Sequence, residues 1–173
     1  MNSDSGLKIK SLMIKIAVWI PVLAMCFLIF GFSGQNGESS SGLSDKIADS
    51  ILNLSDNLGI VQYKNAEESV RADMREGISA PIRKTAHMTE YAILSALVLL
   101  ALLVDKVKLR LALILSWFIT TAFATSDEIH QLFVDGRSGQ FTDVCIDSAG
   151  ALICLTLIFF LISFFTEKRK LNT

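Results

Sequence analysis

Four long stretches of this chain contain no Asp, Glu, Lys, Arg or His: residues 16–37, 91–104, 111–126 and 148–166. Runs of this kind need an apolar solvent, and a helix must carry roughly 20 mostly apolar residues to cross about 30 Å of hydrocarbon. The first and last runs are long enough alone. At about 1.5 Å rise per residue the middle two cover only roughly 21 and 24 Å, so their helices must finish crossing with charged flanks. The second span then starts near residue 85 and the third runs to about residue 130. Backbone groups in lipid must bond within their own segment, so the expectation is an all-α integral membrane protein with a four-transmembrane-helix bundle. A hydrophobic content of 51% and a mean hydropathy of +0.49 exclude an ordinary soluble domain.

Orientation follows from lysine and arginine, which favour the cytoplasmic side. The segment before the first span, the 105–110 turn and the tail after the fourth span together hold nine basic and three acidic residues. The remaining segments hold seven basic and fourteen acidic. Both termini are therefore expected in the cytoplasm, in a multi-pass protein of the cell membrane. The first span reads as a retained helix, because its apolar run exceeds the roughly 7–15 residues of a signal peptide. The net charge of −1 points to no nucleic-acid partner. Cys26, Cys145 and Cys154 lack metal-ligand spacing and read as core residues.

The chain divides into a tip and first span (1–32), an extracytoplasmic loop (33–81), a core with spans two to four (82–166) and a basic tail (167–173). In the loop, Leu43, Ile47, Ile51, Leu54 and Leu58 recur at helical spacing. They predict an amphipathic helix lying against the outer membrane face or the bundle. Residues 62–80 are polar and partly helical by pattern, and Pro81 is expected to interrupt the chain before span two.

The borrowed flanks concentrate the chemistry. Lys84, His87 and Glu90 are three apart and share a helical face, which Tyr91 continues. Glu90 would lie at least a turn below the headgroups, where an unpaired carboxylate costs a few kcal/mol, so it must be paired, protonated or facing a polar cavity. Span three ends in Asp127, Glu128, His130 and Gln131; Arg137 is the only basic residue of the next loop; Asp143 and Asp147 lie four apart on the fourth span. Topology puts all of them at one end. Each has a plainer reading, as a snorkelling anchor for Lys84 and Arg137, a bundle ion pair for the carboxylates, or a helix-dipole charge for Asp143. A divalent metal is a minority reading, because "HMTE" and "DEIH" match no standard metal signature and Glu128 and His130 point about 200° apart on one helix. No cofactor is expected.

"KTAHMTEYAIL" (84–94), "SDEIHQLFVDGRSGQFTDV" (126–144) and "DSAGALI" (147–153) resemble the VanZ-like family, named after a teicoplanin-resistance accessory protein. The family's pattern falls on Lys84, His87, Glu90 and Tyr91, on Asp127, Glu128 and Gln131, on Arg137 and on Asp143. This chain departs from it at Asp135, Asp147 and Cys154, where members often have proline, asparagine and glycine. Asp147 adds an acid near the site. The resemblance implies membrane residence and, in some members, reduced susceptibility to lipoglycopeptide-type antibiotics, with no settled reaction.

Two functions compete. In the first, the outer pocket binds a membrane lipid or lipid-linked envelope component, with Lys84 and Arg137 on phosphate or carboxylate, Tyr91, His130, Gln131, Asp143 and Asp147 completing the ligand site, and an effect on teicoplanin susceptibility. In the second, an integral-membrane enzyme uses His87, Glu90, Asp127 and Glu128 for acid-base catalysis of phosphoryl or acyl transfer on a lipid-linked substrate. A proton-coupled transporter would need oligomerisation. Gly150 and Cys154 have the small-xxx-small interval of a homo-oligomer contact.

Overall fold

The computed structural model describes residues 3–34 and 37–171. Five helices follow one another: α1 (Ser3–Ser33), α2 (Gly37–Asn57), α3 (Glu68–Val104), α4 (Leu109–Gln131) and α5 (Phe141–Leu171). Among the described residues, four of them, α1 and α3 to α5, are long and apolar enough to cross a membrane. With four crossings, the two chain ends leave the bundle on the same side, and α2 lies on the other.

Between helices in lipid the apolar surface gives no net hydrophobic drive, so association rests on close packing and buried polar contacts. The buried positions show this. Ser95 and Ala101 on α3, Ala112, Ser116 and Ala124 on α4, and Gly150 and Ala151 on α5 are small and buried. The Ser95 hydroxyl bonds its own helix at the Ala92 carbonyl (2.7 Å) and lies 3.5 Å from the Ala151 carbonyl. Leu94, Val98, Leu99 and Leu155 fill the space these residues leave. At the end bearing the termini, Asp105 ties α1 to the α3–α4 turn, accepting from Trp19 Nε1 (3.0 Å) and pairing with Lys15 (3.4 Å). That turn is a Schellman cap built without glycine. Lys106 takes φ 66°, its N–H reaches the Leu103 carbonyl, and the Val107 N–H reaches that of Leu102.

Three expectations change here. Pro81 does not interrupt the chain, because α3 runs unbroken through it for 37 residues. A helical proline removes one bond to the carbonyl four residues earlier and crowds it. Here that residue is Gly77, exposed and without neighbours that a side chain would meet, so its carbonyl can turn to water. Span two thus continues a polar extension of α3, and the loop drawn as 33–81 ends inside a helix.

The second is refined: α2 is expected against the outer membrane face or the bundle, and it meets the bundle through a face other than its apolar stripe. It packs on the α3 extension through Ser44, Ala48 and Leu52, while Leu43, Ile47, Ile51, Leu54 and Leu58 stay exposed. Polar contacts set the register. Asp49 accepts from the hydroxyl of buried Tyr63 and from Arg75 Nε (2.8 Å), and Arg75 Nη2 reaches the same hydroxyl at 3.2 Å. These bonds, Tyr63 first and Arg75 next, hold the Asp49 carboxyl below its ordinary pKa. Arg71 stacks 5.1 Å over the Tyr63 ring, and Asp56 accepts from the Tyr63 and Lys64 N–H groups that turn the chain back.

The third concerns small and apolar residues read as core. Cys145 is exposed, and Cys26 and Cys154 are half-buried free thiols. Beside lipid an apolar residue faces outward as readily as inward, so hydrophobicity does not separate the two. Gly150 is buried inside the bundle, where an added Cβ would stand 2.4 Å from the Met88 carbonyl oxygen. Its absent side chain serves the α3–α5 contact rather than an outward face.

Candidate functional site

Helical phase builds the site. On α4, Asp127 and Gln131 lie one turn apart on the stripe that continues buried Thr120 and Ala124, so the bundle's inner face becomes polar at its α2 end. Asp127 is 1% exposed. Its Oδ2 accepts from Ser33 at the end of α1 (2.7 Å) and from Gln131 Nε2 (3.3 Å). Glu128 accepts from Gln131 (3.4 Å) and from the Gln140 backbone N–H (2.8 Å). Both carboxyls are thus held in place by neutral donors from α1, α4 and the following loop.

The 132–140 loop brings that N–H into place through glycine. Gly136 has φ 74°, and Gly139 sits so close to α4 that a Cβ would meet the Glu128 carbonyl oxygen at 2.2 Å. Arg137 in the same loop donates to the Phe32 carbonyl of α1 (3.1 Å) and lies within electrostatic reach of Asp127 and Glu128. Its partial burial lowers its pKa from the ordinary value, but an arginine stays protonated in a protein.

Facing α4, α3 presents Lys84, His87, Glu90 and Tyr91. Lys84 Nζ pairs with Asp143 of α5 at 2.6 Å, and His87 Nδ1 stands 3.4 Å from Glu90 Oε2. Tyr91 is fully buried, and its hydroxyl lies beside Asp127 and near Asp147 and Glu128 without completing a hydrogen bond of normal geometry. Glu90 Oε2 and Asp127 Oδ1 are likewise buried and without such a bond. Asp147, one turn below Asp143, is 3% exposed and feels the charges of Glu128, Asp143, Asp127 and Glu90.

The structure therefore brings together Lys84, His87, Glu90, Tyr91, Asp127, Glu128, Gln131, Arg137, Asp143 and Asp147. His130 points elsewhere, its ring edge-on to Phe30 of α1 at 5.3 Å and its Nε2 toward Gly34. One residue of helix rotation, about 100°, separates it from Gln131 and accounts for the divergence. Two contributors are not visible in the motif pattern. Ser33 is the first residue of the segment read as an extracytoplasmic loop, and Gln140 acts through its backbone. Among the described residues no three His, Cys, Asp or Glu side chains are arranged to hold a metal ion.

The chemistry of the cluster is acid-rich and layered. Asp143 lies in the first turn of α5 and meets Lys84 of mid-α3, while Glu90, Tyr91, Asp127 and Asp147 lie further along the bundle. Phe133 and Phe141 flank the loop at 83% and 81% exposure, in keeping with aromatic side chains at a membrane–water boundary.

No curated protein matches the chain. No solved structure matches it either. A family match does extend over residues 18–165, to the family described as VanZ/LLP1, and it takes in α2 and the α3 extension as well as the motif-bearing segments. With most of its length matched, this multi-pass membrane chain belongs to the VanZ/LLP1 family.

Proposed function

We propose that the polar cluster at the α2 end of the bundle binds a lipid or lipid-linked component of the cell envelope from the outer leaflet. The observation that carries this reading is the convergence of α1, α3, α4, α5 and the 132–140 loop on one cluster containing buried polar atoms without completed bonds. Such atoms cost about 1–3 kcal/mol each when left alone, which a structural ion-pair network would avoid. Lys84 and Arg137 are the anion holders. An ammonium has three donors and a guanidinium five, so each can serve an incoming phosphate or carboxylate beside its present partner. The exposed apolar surfaces of the spans take the acyl chain. With the basic segments in the cytoplasm, the cluster faces outward, where it alters lipid or wall-precursor composition and so the access of teicoplanin.

His87 beside Glu90 favours a second reading, an acid-base enzyme on a lipid-linked phosphoryl or acyl substrate, since the 3.4 Å between them can close to proton-transfer distance when a substrate binds. The two separate on conservative variants. A binding protein tolerates Glu90→Gln, whereas an enzyme loses function with its fold intact.

The test is lipid analysis of purified protein beside teicoplanin susceptibility of a sensitive host, for wild type, Arg137→Ala and Glu128→Gln at matched membrane abundance. The binding reading expects a co-purifying lipid that Arg137→Ala loses, and a raised inhibitory concentration that Arg137→Ala reduces and Glu128→Gln keeps; loss in Glu128→Gln with the lipid retained favours the enzyme. Equal lipid content in wild type and Arg137→Ala, with no change in susceptibility, would overturn it.

A further inference from the structure

The opposite end of the bundle holds a second concave site. A groove of about 290 Å³ lies between α1 and the α3–α4 turn, lined by Lys10, Ser11, Ile14, Lys15, Val104 and Lys106. That is the share of roughly ten waters at about 30 Å³ each, room for one headgroup and not for a helix. A lysine that only anchors a helix end snorkels outward along the lipid face. Here Ser11, Ile14 and Lys15, with Lys10 at the edge, continue the α1 stripe of Val18 and Val22, which is the stripe packed on the core. The walls are fixed, because Asp105 accepts from Trp19 Nε1 and pairs with Lys15, holding α1 against the turn. Lys106 stands at φ 66°, a left-handed position that glycine adopts without strain, and from there it lines the groove. The ion pairs among the described residues engage Lys15 through Asp105 and include neither Lys10 nor Lys106.

We infer that this groove binds the headgroup of an anionic phospholipid in the leaflet nearest the chain ends, its phosphate shared by Lys10, Lys15 and Lys106. An ammonium carries three donors, so Lys15 can serve a phosphate while keeping Asp105. Asp105 answers Lys15 alone, which leaves the positive charges of Lys10 and Lys106 to the ligand. A headgroup with net negative charge satisfies them, whereas the ammonium of a zwitterionic headgroup meets like charge. The bilayer is the source of the phosphate. Ile14 of the lining is 49% exposed, and Ile9, Leu12 and Met13 around it on α1 are more than half exposed, so acyl chains have an apolar path from the groove into the hydrocarbon. By the distribution of lysine and arginine this leaflet is the inner one, where basic pockets between membrane helices suit anionic headgroups. The groove is separate from the polar cluster at the α2 end and does not depend on that cluster's function.

The experiment uses the full chain carrying Trp117→Phe, which leaves Trp19 as the single tryptophan, one helical turn from Lys15. It is reconstituted into phosphatidylcholine vesicles containing an equal fraction of either phosphatidylglycerol or phosphatidylcholine brominated on the acyl chains near the headgroup. Quenching of Trp19 then reports which lipid occupies the groove. With the lysines intact the glycerol lipid should be favoured by about tenfold or more, and Lys106→Gln should lower this about fivefold, the effect of one basic residue near anionic lipid. Lys10→Gln with Lys106→Gln should bring the preference within about twofold of parity. Lys108→Gln with Arg110→Gln removes the same charge at the same end of the bundle, outside the groove lining, and should change the preference by no more than about twofold. A loss equal to that of the groove pair would assign the effect to diffuse attraction and overturn the inference. Equal quenching by the two lipids with the lysines intact overturns it too. Glycerol 3-phosphate at matched ionic strength should leave the quenching in place; full relief would make the ligand a soluble phosphate ester and overturn the assignment to lipid. If the Trp117→Phe chain does not fold by circular dichroism, the same comparison in the two-tryptophan chain decides, since Trp117 on α4 does not line the groove and its signal is common to all variants.

Discussion

Replacing Gly150 by alanine tests whether α3 and α5 approach as closely as described. The new Cβ would stand 2.4 Å from the Met88 carbonyl oxygen and 2.5 Å from Met88 Cγ. The side chain of Met88 can rotate away, but the carbonyl belongs to the α3 backbone and cannot. Ordinary carbon–oxygen contact needs upwards of about 3.3 Å, so the two helices must part by nearly 1 Å at this level. Overpacking of this size costs typically 1–3 kcal/mol, and the strain falls on the helix pair that carries Lys84 and Asp143, whose bond is 2.6 Å long. Gly77→Ala is the control, since that glycine is also inside a helix but meets nothing within 4 Å. It should be stabilising by up to about 1 kcal/mol through helix propensity. The assay is reversible unfolding in mixed micelles by titration with sodium dodecyl sulfate, followed by circular dichroism. Gly150→Ala unfolding at the wild-type denaturant fraction would refute the close approach.

Gly139→Ala forces the loop off α4 at the 2.2 Å contact with the Glu128 carbonyl, and with it the Gln140 N–H; amide exchange at Gln140 should rise at least tenfold. Lys106→Gly relieves a left-handed non-glycine cap and should stabilise the protein by about 0.5–1 kcal/mol in the same micelle titration, with no gain if the cap is not left-handed. Asp49 has a depressed folded-state pKa, so the stability it contributes is present above its unfolded value of about 3.9 and is lost as pH falls through the lower folded value. Limited proteolysis of α2 should therefore accelerate from pH 5 to pH 3, and Asp49→Asn should cleave at a similar rate at both; acceleration of the variant equal to wild type would assign the effect to other groups. A periplasm-active or surface-active reporter fused at residue 135 should be active, and one active only in the cytoplasm should be silent. The opposite pattern would invert the orientation drawn from Lys8, Lys10, Lys15 and the 168–170 tail.

The spans were legible because the bilayer imposes a length and forbids unpaired backbone, leaving little choice once the uncharged runs are marked. The α4 terminus at Gln131 and the one-sided grouping of Lys84, Glu90, Asp127, Glu128 and Asp143 follow from that constraint and from helical phase. What escaped has physical reasons. The docking face of α2 is chosen by Asp49, Tyr63 and Arg75, three polar residues distant in sequence, against a conspicuous apolar stripe at Leu43, Ile47 and Leu54. Pro81 looked like a break because its cost depends on Gly77, whose exposure no sequence pattern reveals. Ser33 entered the site through one hydroxyl, with nothing in "GFSG" to distinguish it from a linker. His130 is grouped with the ligand site by its place in the motif, and its ring packs on Phe30 of α1 instead.

The unbroken passage of α3 through Pro81 makes its two halves one gear. Arg75, which seats α2, and Lys84, which seats Asp143, are fixed nine residues apart on a single screw. Adding one residue between them would turn the α2 docking face by about 100° relative to the cluster, whereas adding seven, close to two full turns, would return it to within about 20°. The spacing of this segment therefore tolerates change only in near-whole turns, a restriction that an ordinary surface loop between the same two points would not impose.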